Sequence, residues 1–249
     1  MKNKRIVLLD TLRGVSMLYV MLYHIMYDLR FIYSQATPAF ITPGNAFFEI
    51  LHGIFLTILF SVSGVCSTLS GNSLKRGALL YIAGYLITIG TELFMPSELI
   101  VFGVLSCFGA CMVITALAEP LIKKAGDKSM YFSAVFLLLA FVFRDMAYGR
   151  IDLVFTRIDI PVLPFRWLYP LGLRGADFAS SDYFPLIPFL FLFLAGRCAA
   201  KQVTELAQKA EMKPGVVEFI GKHSLIFYLA HQPLILLVLE IIFMSGGLS

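Results

Sequence analysis

Apolar runs about as long as a bilayer is thick follow one another down the whole chain, separated by short polar stretches. Seven can be marked, over 8–31, 47–69, 78–95, 99–118, 130–147, 183–200 and 220–243. As helices rising about 1.5 Å per residue, such runs cross a hydrocarbon core of ~30 Å. Strands of a transmembrane barrel would instead alternate with a period of two over ~10 residues, and that pattern is missing. The expected fold class is therefore all-α: a polytopic transmembrane helix bundle of about seven spans. No stretch is long or polar enough for a second, soluble domain, so residues 1–249 are expected to form one transmembrane domain. Its outer loop would be 148–182 and its inner amphipathic segment 201–213.

Composition agrees, with 59% hydrophobic and 14% charged residues and a mean hydropathy of +0.83; soluble domains carry roughly 25% charged residues. The net charge of +4 sits in the loops, so it reports topology and gives no reason to expect nucleic acid. Lys2, Lys4 and Arg5 precede the first run, and Lys75 and Arg76 follow the second. Lys123, Lys124 and Lys128 follow the fourth, and Arg197, Lys201, Lys209, Lys213 and Lys222 lie between the last two. With seven spans all four groups share one side, which the positive-inside rule makes the cytoplasm. That puts the N-terminus in and the C-terminus out, in what we expect to be a bacterial cytoplasmic (inner) membrane. The start MKNKRIVLL has the basic character of a signal peptide, but the run behind it is long, charged and without a small-residue cleavage site, so it is expected to stay as the first span. Cys66, Cys107, Cys111 and Cys198 fall in apolar runs without CxxC spacing, which suits buried small hydrophobes and points to no metal site.

The first run, VLLDTLRGVSMLYVMLYHIMYDLR, breaks the pattern with Asp10, Arg13, His24 and Asp28. On a wheel of ~100° per residue these four fall within about 60° of one another, on the face that also carries Met17 and Met21. A charge at the bilayer centre costs ~2.5 kcal/mol or more, so this stripe should face the bundle interior or a wet cavity. Asp10 and Arg13 sit at the inner end, while His24 lies ~24 Å beyond Leu8 along the helix. Asp28, four residues after His24, can accept from one ring nitrogen, fix the tautomer and leave the other as a general base. Plainer readings are an Asp10–Arg13 ion pair and a packing histidine bonded to Asp28. His231, eleven residues past Ile220, would lie ~16 Å deep in YLAHQP, where Pro233 removes a backbone hydrogen bond and could open the helix. His223 should be a surface or cap residue.

LDTLRG at 9–14, with ten residues between Arg13 and His24, resembles the signature of membrane-bound acyltransferases. LFSVSGVCSTLSG (59–71), IVFGVLSCFGACMVI (100–114), DYFPLIPFLFLFLAG (182–196) and IGKHSLIFYLAHQPLIL (220–236) resemble prokaryotic relatives of heparan-α-glucosaminide N-acetyltransferase, in the order of that family. The resemblance implies a multi-pass enzyme taking acetyl groups from cytosolic acetyl-CoA to an amine or hydroxyl of an extracytoplasmic sugar or glycan. On that reading the CoA thioester is met by Asp10, Arg13, Lys75, Arg76 and Gln232, cations suiting its phosphates, and no metal is expected. Lys75 and Arg76 also fit plain positive-inside anchoring. The catalytic candidates are His24, Asp28, His52 and His231. In the lysosomal enzyme the catalytic histidine lies in a luminal loop after the first conserved helix, whereas the matching QATPAFITPGNAFF has none; His24 and His52, the latter three residues after Glu49, are the nearby substitutes. Glu49, Glu92, Arg144, Asp145 and Trp167, with Tyr169, would line the acceptor side. Its piece IPVLPFRWLYPLGL, with three prolines and an aromatic cluster, suits an interfacial or re-entrant element.

The alternative is a proton-coupled membrane transporter relaying protons along the same Asp/His chain, against which stands the lack of an inverted repeat or paired broken helices. A third reading is a relative that only binds an acyl donor. The bilayer is the first partner, and a second copy of the chain is a candidate one. A topology reporter fused after Ser249 should be active only outside the cytoplasm. Activity confined to the cytoplasm would overturn the odd span count.

Overall fold

The structure, a computed structural model, describes residues 6–69, 71–153, 156–162 and 166–244. Lys2, Lys4, Arg5, residues 163–165 of the proline-rich piece, the side chain of Arg166 and the terminal Ser249 lie outside the described residues. The expected runs are helices: α1 (Val7–Tyr27), α2 (Ala46–Ser67), α3 (Ser73–Phe94), α4 (Val104–Ala125), α5 (Ser129–Val142), α6 (Leu186–Cys198) and, after two short helices, α9 (Ser224–Met244). Those two are α7 (Ala200–Lys209) and α8 (Val216–Lys222). The inner segment expected over 201–213 is thus helical to Lys209 and without regular structure beyond it.

Among the described residues, five stretches are long and apolar enough to cross a membrane: Ala39–Ser67, Ser73–Phe94, Val104–Ala125, Ser129–Tyr148 and Ser224–Met244. Leu186–Cys198 with Ala200–Lys209, bent by 63°, makes a sixth if the pair is one span. Helix α1 has 21 residues but is not among them, because Asp10, Arg13 and His24 dilute its apolar character. Helix α9 runs unbroken through Pro233, so the proline does not open the helix at His231; neighbouring turns hold it where only one bond is lost.

Packing divides the chain into two compact units, 1–62 with 205–249 and 63–204. In the first, α1 packs on α8 and α9. The α1–α8 crossing is close because a Cβ on Gly14 would overlap the Val217 carbonyl, and one on Gly221 the Asp10 carbonyl. Small residues serve this purpose in membranes, where lipid is as apolar as leucine and association comes from tight contact. Around Met17 and Val20, both buried, Ile220, Phe227 and Tyr228 close the packing. Contacts between α1 and α9 ascend together, from Arg13 with Ser224 to Asp28 with Gln232, so the two helices run in the same direction. At its end α1 passes into a π-helical turn, Asp28–Ile32, in which Tyr33 N–H donates to the Asp28 carbonyl at 2.9 Å.

In the second unit α3 and α4 form a hairpin brought close at Gly77, Gly84 and Gly109. The turn into α3 is capped by Asn72, whose side chain accepts from Lys75 N–H at 3.3 Å. Helix α5 packs on α6, tied by Ser133 Oγ donating to the Ala195 carbonyl at 2.9 Å. Arg197 of α6 donates from two nitrogens to Glu119 of α4. The all-α expectation misses one feature: β1 (Arg150–Leu153) pairs antiparallel with β2 (Thr156–Asp159). The alternation in RIDL and TRID carried that signal, but it is far shorter than a span.

If close approach holds α1 to α8, Gly14→Ala and Gly221→Ala should each destabilise the detergent-solubilised protein by ~1–3 kcal/mol in thermal unfolding. Gly53→Ala, where an added Cβ meets nothing within 4 Å, should be neutral or stabilising by up to ~1 kcal/mol. Equal midpoints for all three would mean the crossing is loose.

Candidate functional site

The ionisable stripe of α1 lies against α8 and α9. At one end Asp10 is buried and pairs with Arg13 at 3.3 Å, the i,i+3 ion pair foreseen as the plain reading. Arg13 also donates through a second nitrogen to Ser224 Oγ at 2.5 Å, so its fork joins the beginnings of α1 and α9. Its Nε is buried with no hydrogen-bond partner. Met17 follows in the core.

Further along, the His24 ring faces His231, with centroids 4.9 Å apart and planes at 59°. His231 is buried, and its Nδ1 lies 2.5 Å from the Tyr228 carbonyl. A carbonyl only accepts, so Nδ1 carries the proton and Nε2 is the basic nitrogen. Asp28, expected beside His24, is met from α9. Gln232 Nε2 donates to both oxygens of the fully buried Asp28 carboxylate, at 3.2 and 3.1 Å. The four-residue spacing itself holds, since Asp28 keeps α-helical angles and its N–H donates to the His24 carbonyl; the carboxylate is met from α9 by a residue that local spacing does not supply. The tautomer-fixing bond exists, but it belongs to His231 and is made by backbone.

A second face of α1, about 100–180° round from the stripe, carries Tyr19 and Tyr23 toward α2. His52 stacks on Tyr23 at 4.0 Å and 28°, and Tyr23 meets His24 edge-on at 6.3 Å. Three histidines of this unit are therefore linked through one tyrosine. His52 Nδ1 is buried without a hydrogen-bond partner. Glu49 accepts from Tyr23 Oη at 3.2 Å and from Gly44 N–H at 2.8 Å, which ties the loop 33–45 to the start of α2. Tyr19 Oη donates to the Phe48 carbonyl at 2.7 Å. His223 caps α8, its Nδ1 3.0 Å from the Phe219 carbonyl, as expected.

The other predicted residues belong to the second unit. Lys75 and Arg76 are exposed on the first turn of α3, and Glu92 is exposed on its last. Arg144 and Asp145 belong to an ion-pair group that clips the β-hairpin to the end of α5. Arg144 reaches Asp152 at 3.2 Å, Arg150 reaches Asp145 at 3.8 Å, and Arg157 reaches Asp152 at 3.0 Å. The bond from Arg157 holds the Asp152 carboxyl below its ordinary range. Trp167 is 70% exposed, while Tyr169 stacks on Phe178 at 5.3 Å and accepts from Tyr183 Oη. All four cysteines are free, and all but Cys66 are buried. Among the described residues, no His/Cys/Asp/Glu group could hold a metal.

The fold and this side-chain cluster define an integral membrane protein whose chemistry-bearing residues lie within a helix bundle. Residues 5–233 match the family described as heparan-alpha-glucosaminide N-acetyltransferase, catalytic, and the chain belongs to that family of transmembrane acetyltransferases. The match runs through both units. No curated protein and no solved structure matches the chain. Sequence reading missed Tyr23, Tyr228 and Ser224. Tyr23 stands beside His24 but off the stripe, and Ser224 opens a helix whose neighbour only folding supplies.

The Arg13–Ser224 bond can be measured by a double-mutant cycle of Arg13→Ala and Ser224→Ala in thermal unfolding. A hydrogen bond to a charged group predicts coupling of ~1.5–3 kcal/mol. Additive effects would mean that the two side chains do not interact.

Proposed function

We propose that the protein transfers an acetyl group from cytosolic acetyl-CoA to an amine or hydroxyl of an extracytoplasmic sugar or glycan, acting as one transmembrane domain. The observation that carries this is the line of unspent polar atoms in the first unit. Arg13 Nε, near the start of α1, and His52 Nδ1 and Gln232 Oε1, toward its other end, are buried without hydrogen-bond partners. Buried polar groups left unpaired cost ~1–3 kcal/mol each, and binding of substrate would satisfy them. Arg13 and His24 are eleven residues apart, or ~16 Å along α1, so one helix offers a cation for a donor phosphate and an imidazole for the reacting carbonyl. Lys75 and Arg76, exposed on α3, are the other candidate phosphate contacts.

In the reaction, a ring nitrogen of His24 takes the proton of the acceptor as its lone pair attacks the thioester carbonyl. The C–S bond breaks, and the imidazolium returns the proton to the departing CoA thiolate. His24 is assigned this role because it is more accessible than the buried His231. His231, with Nδ1 spent on the Tyr228 carbonyl, presents Nε2 and steadies the charge that forms. An acetyl-imidazole intermediate on His24 uses the same geometry. The shared direction of α1 and α9 supports seven spans, since an even number of crossings must separate their starts. On this reading the N- and C-termini lie on opposite sides of the membrane.

The test is release of CoA thiol from acetyl-CoA with glucosamine as acceptor, using purified protein. His24→Ala should lose ~10²–10⁴-fold in rate with little change in CoA affinity or thermal midpoint. Full activity in His24→Ala with loss in His52→Ala or His231→Ala would reassign the base. Activity in all three variants would remove histidine from the mechanism. Arg13→Ala should weaken CoA binding more than acceptor binding, and an unchanged dissociation constant would leave Arg13 a purely structural pin.

A further inference from the structure

Gln232 follows His231 on α9, and its side chain meets Asp28 of α1. The amide nitrogen Nε2 lies 3.2 and 3.1 Å from the two oxygens of the Asp28 carboxylate, which is fully buried. A carboxylate only accepts, so the amide can face it in one way alone, with the nitrogen toward Asp28. The amide oxygen is thereby turned away. Gln232 Oε1 is buried and has no hydrogen-bond partner, yet it is an acceptor with two lone pairs. The contact between α1 and α9 does not use it, because the nitrogen makes both bonds to Asp28. A buried acceptor held in one orientation and left without a donor is suited to reading an N–H or O–H brought by a ligand.

Its position says which ligand, and here the inference rests on the acetyl transfer proposed above. With a donor phosphate at Arg13 and the thioester at His24, CoA lies along the ~16 Å of α1 between those two residues. Asp28 is four residues past His24, on the same face and ~6 Å farther from Arg13. The amide it holds therefore lies beyond the thioester, on the side from which the acceptor must approach. A thioester offers a carbonyl oxygen and a sulfur, neither of which donates, whereas an amino sugar brings several N–H and O–H groups. We propose that Gln232 is an acceptor-binding residue, its Oε1 taking a hydrogen bond from an N–H or O–H of the sugar, with Asp28 as the positioning residue that fixes the amide. This moves Gln232 from the CoA contacts to the acceptor side.

Glucosamine binding to the full chain in detergent, with CoA bound, can be measured by calorimetry, and acetyl transfer by release of CoA thiol. Gln232→Met keeps the length of the side chain and removes the acceptor atom. It should raise the glucosamine dissociation constant about 5–10-fold, the worth of one neutral hydrogen bond, with CoA affinity unchanged. Because that variant takes a donor from a buried carboxylate, Asp28→Leu with Gln232→Met removes both partners and should show the same loss. Asp28→Asn with Gln232→Glu exchanges donor and acceptor but leaves position 232 an oxygen to spare, and should restore glucosamine binding. Native glucosamine affinity in both Met variants overturns the contact, as does native protein that binds no glucosamine. Weaker CoA binding with glucosamine unaffected would give the oxygen to CoA and overturn it too. Native protein that binds glucosamine yet releases no thiol would sink the transfer reaction instead, and the binding constants would still decide the contact.

Discussion

A polar side chain on a membrane-embedded helix has to find its partner inside the protein, because hydrocarbon offers none. The first unit is organised by that constraint. Asp10 turns to Arg13, Arg13 to Ser224, and Asp28 to Gln232, while the His24 ring turns to His231. Each contact joins α1 to itself or to α9, and the glycine crossing with α8 brings the backbones close enough for these short bonds to form. The helix that is too polar to count among the apolar spans is thereby tied to its neighbours through its polar side chains.

The same contacts organise the chemistry. Two imidazoles 4.9 Å apart differ in their surroundings. One has its Nδ1 committed to a backbone carbonyl in a buried position, and the other keeps some exposure. Inequality of this kind lets one ring exchange protons while the other holds its tautomer. Asp28, the last residue in α-helical register on α1, turns its carboxylate to Gln232 of α9 just before the π turn. On the other face of α1, the tyrosine pair carries His52 into the same neighbourhood without sharing the stripe.

The second unit shows a different balance. Its membrane-crossing helices are apolar nearly all round, and its polar groups gather where helices end: Glu119 with Arg197 and Lys123, and Arg144 and Asp145 with the hairpin. The hairpin group is exposed to solvent screening, so it orders the loop more than it stabilises the fold. Glu49, likewise, is engaged by a tyrosine and a loop amide, which gives it a positioning part in the turn before α2.

The sequence alone determined the helices and their places, because apolar length and the absence of two-residue alternation are local properties of the chain. It also determined the stripe, since 3.6-residue periodicity places Asp10, Arg13, His24 and Asp28 on one face whatever they meet. The family was legible from LDTLRG and the four later pieces. What each stripe residue meets was not, because Ser224, Tyr228, His231 and Gln232 lie some two hundred residues away and no local rule pairs them with α1. Asp28 illustrates this: it keeps its α-helical spacing from His24, yet its carboxylate is met by Gln232 of α9, which no local rule could name. Only the tertiary structure decided that His231 is the histidine with the fixed tautomer, that His52 reaches the cluster through Tyr23, and that Arg13 joins two helix starts, since each depends on how backbones cross.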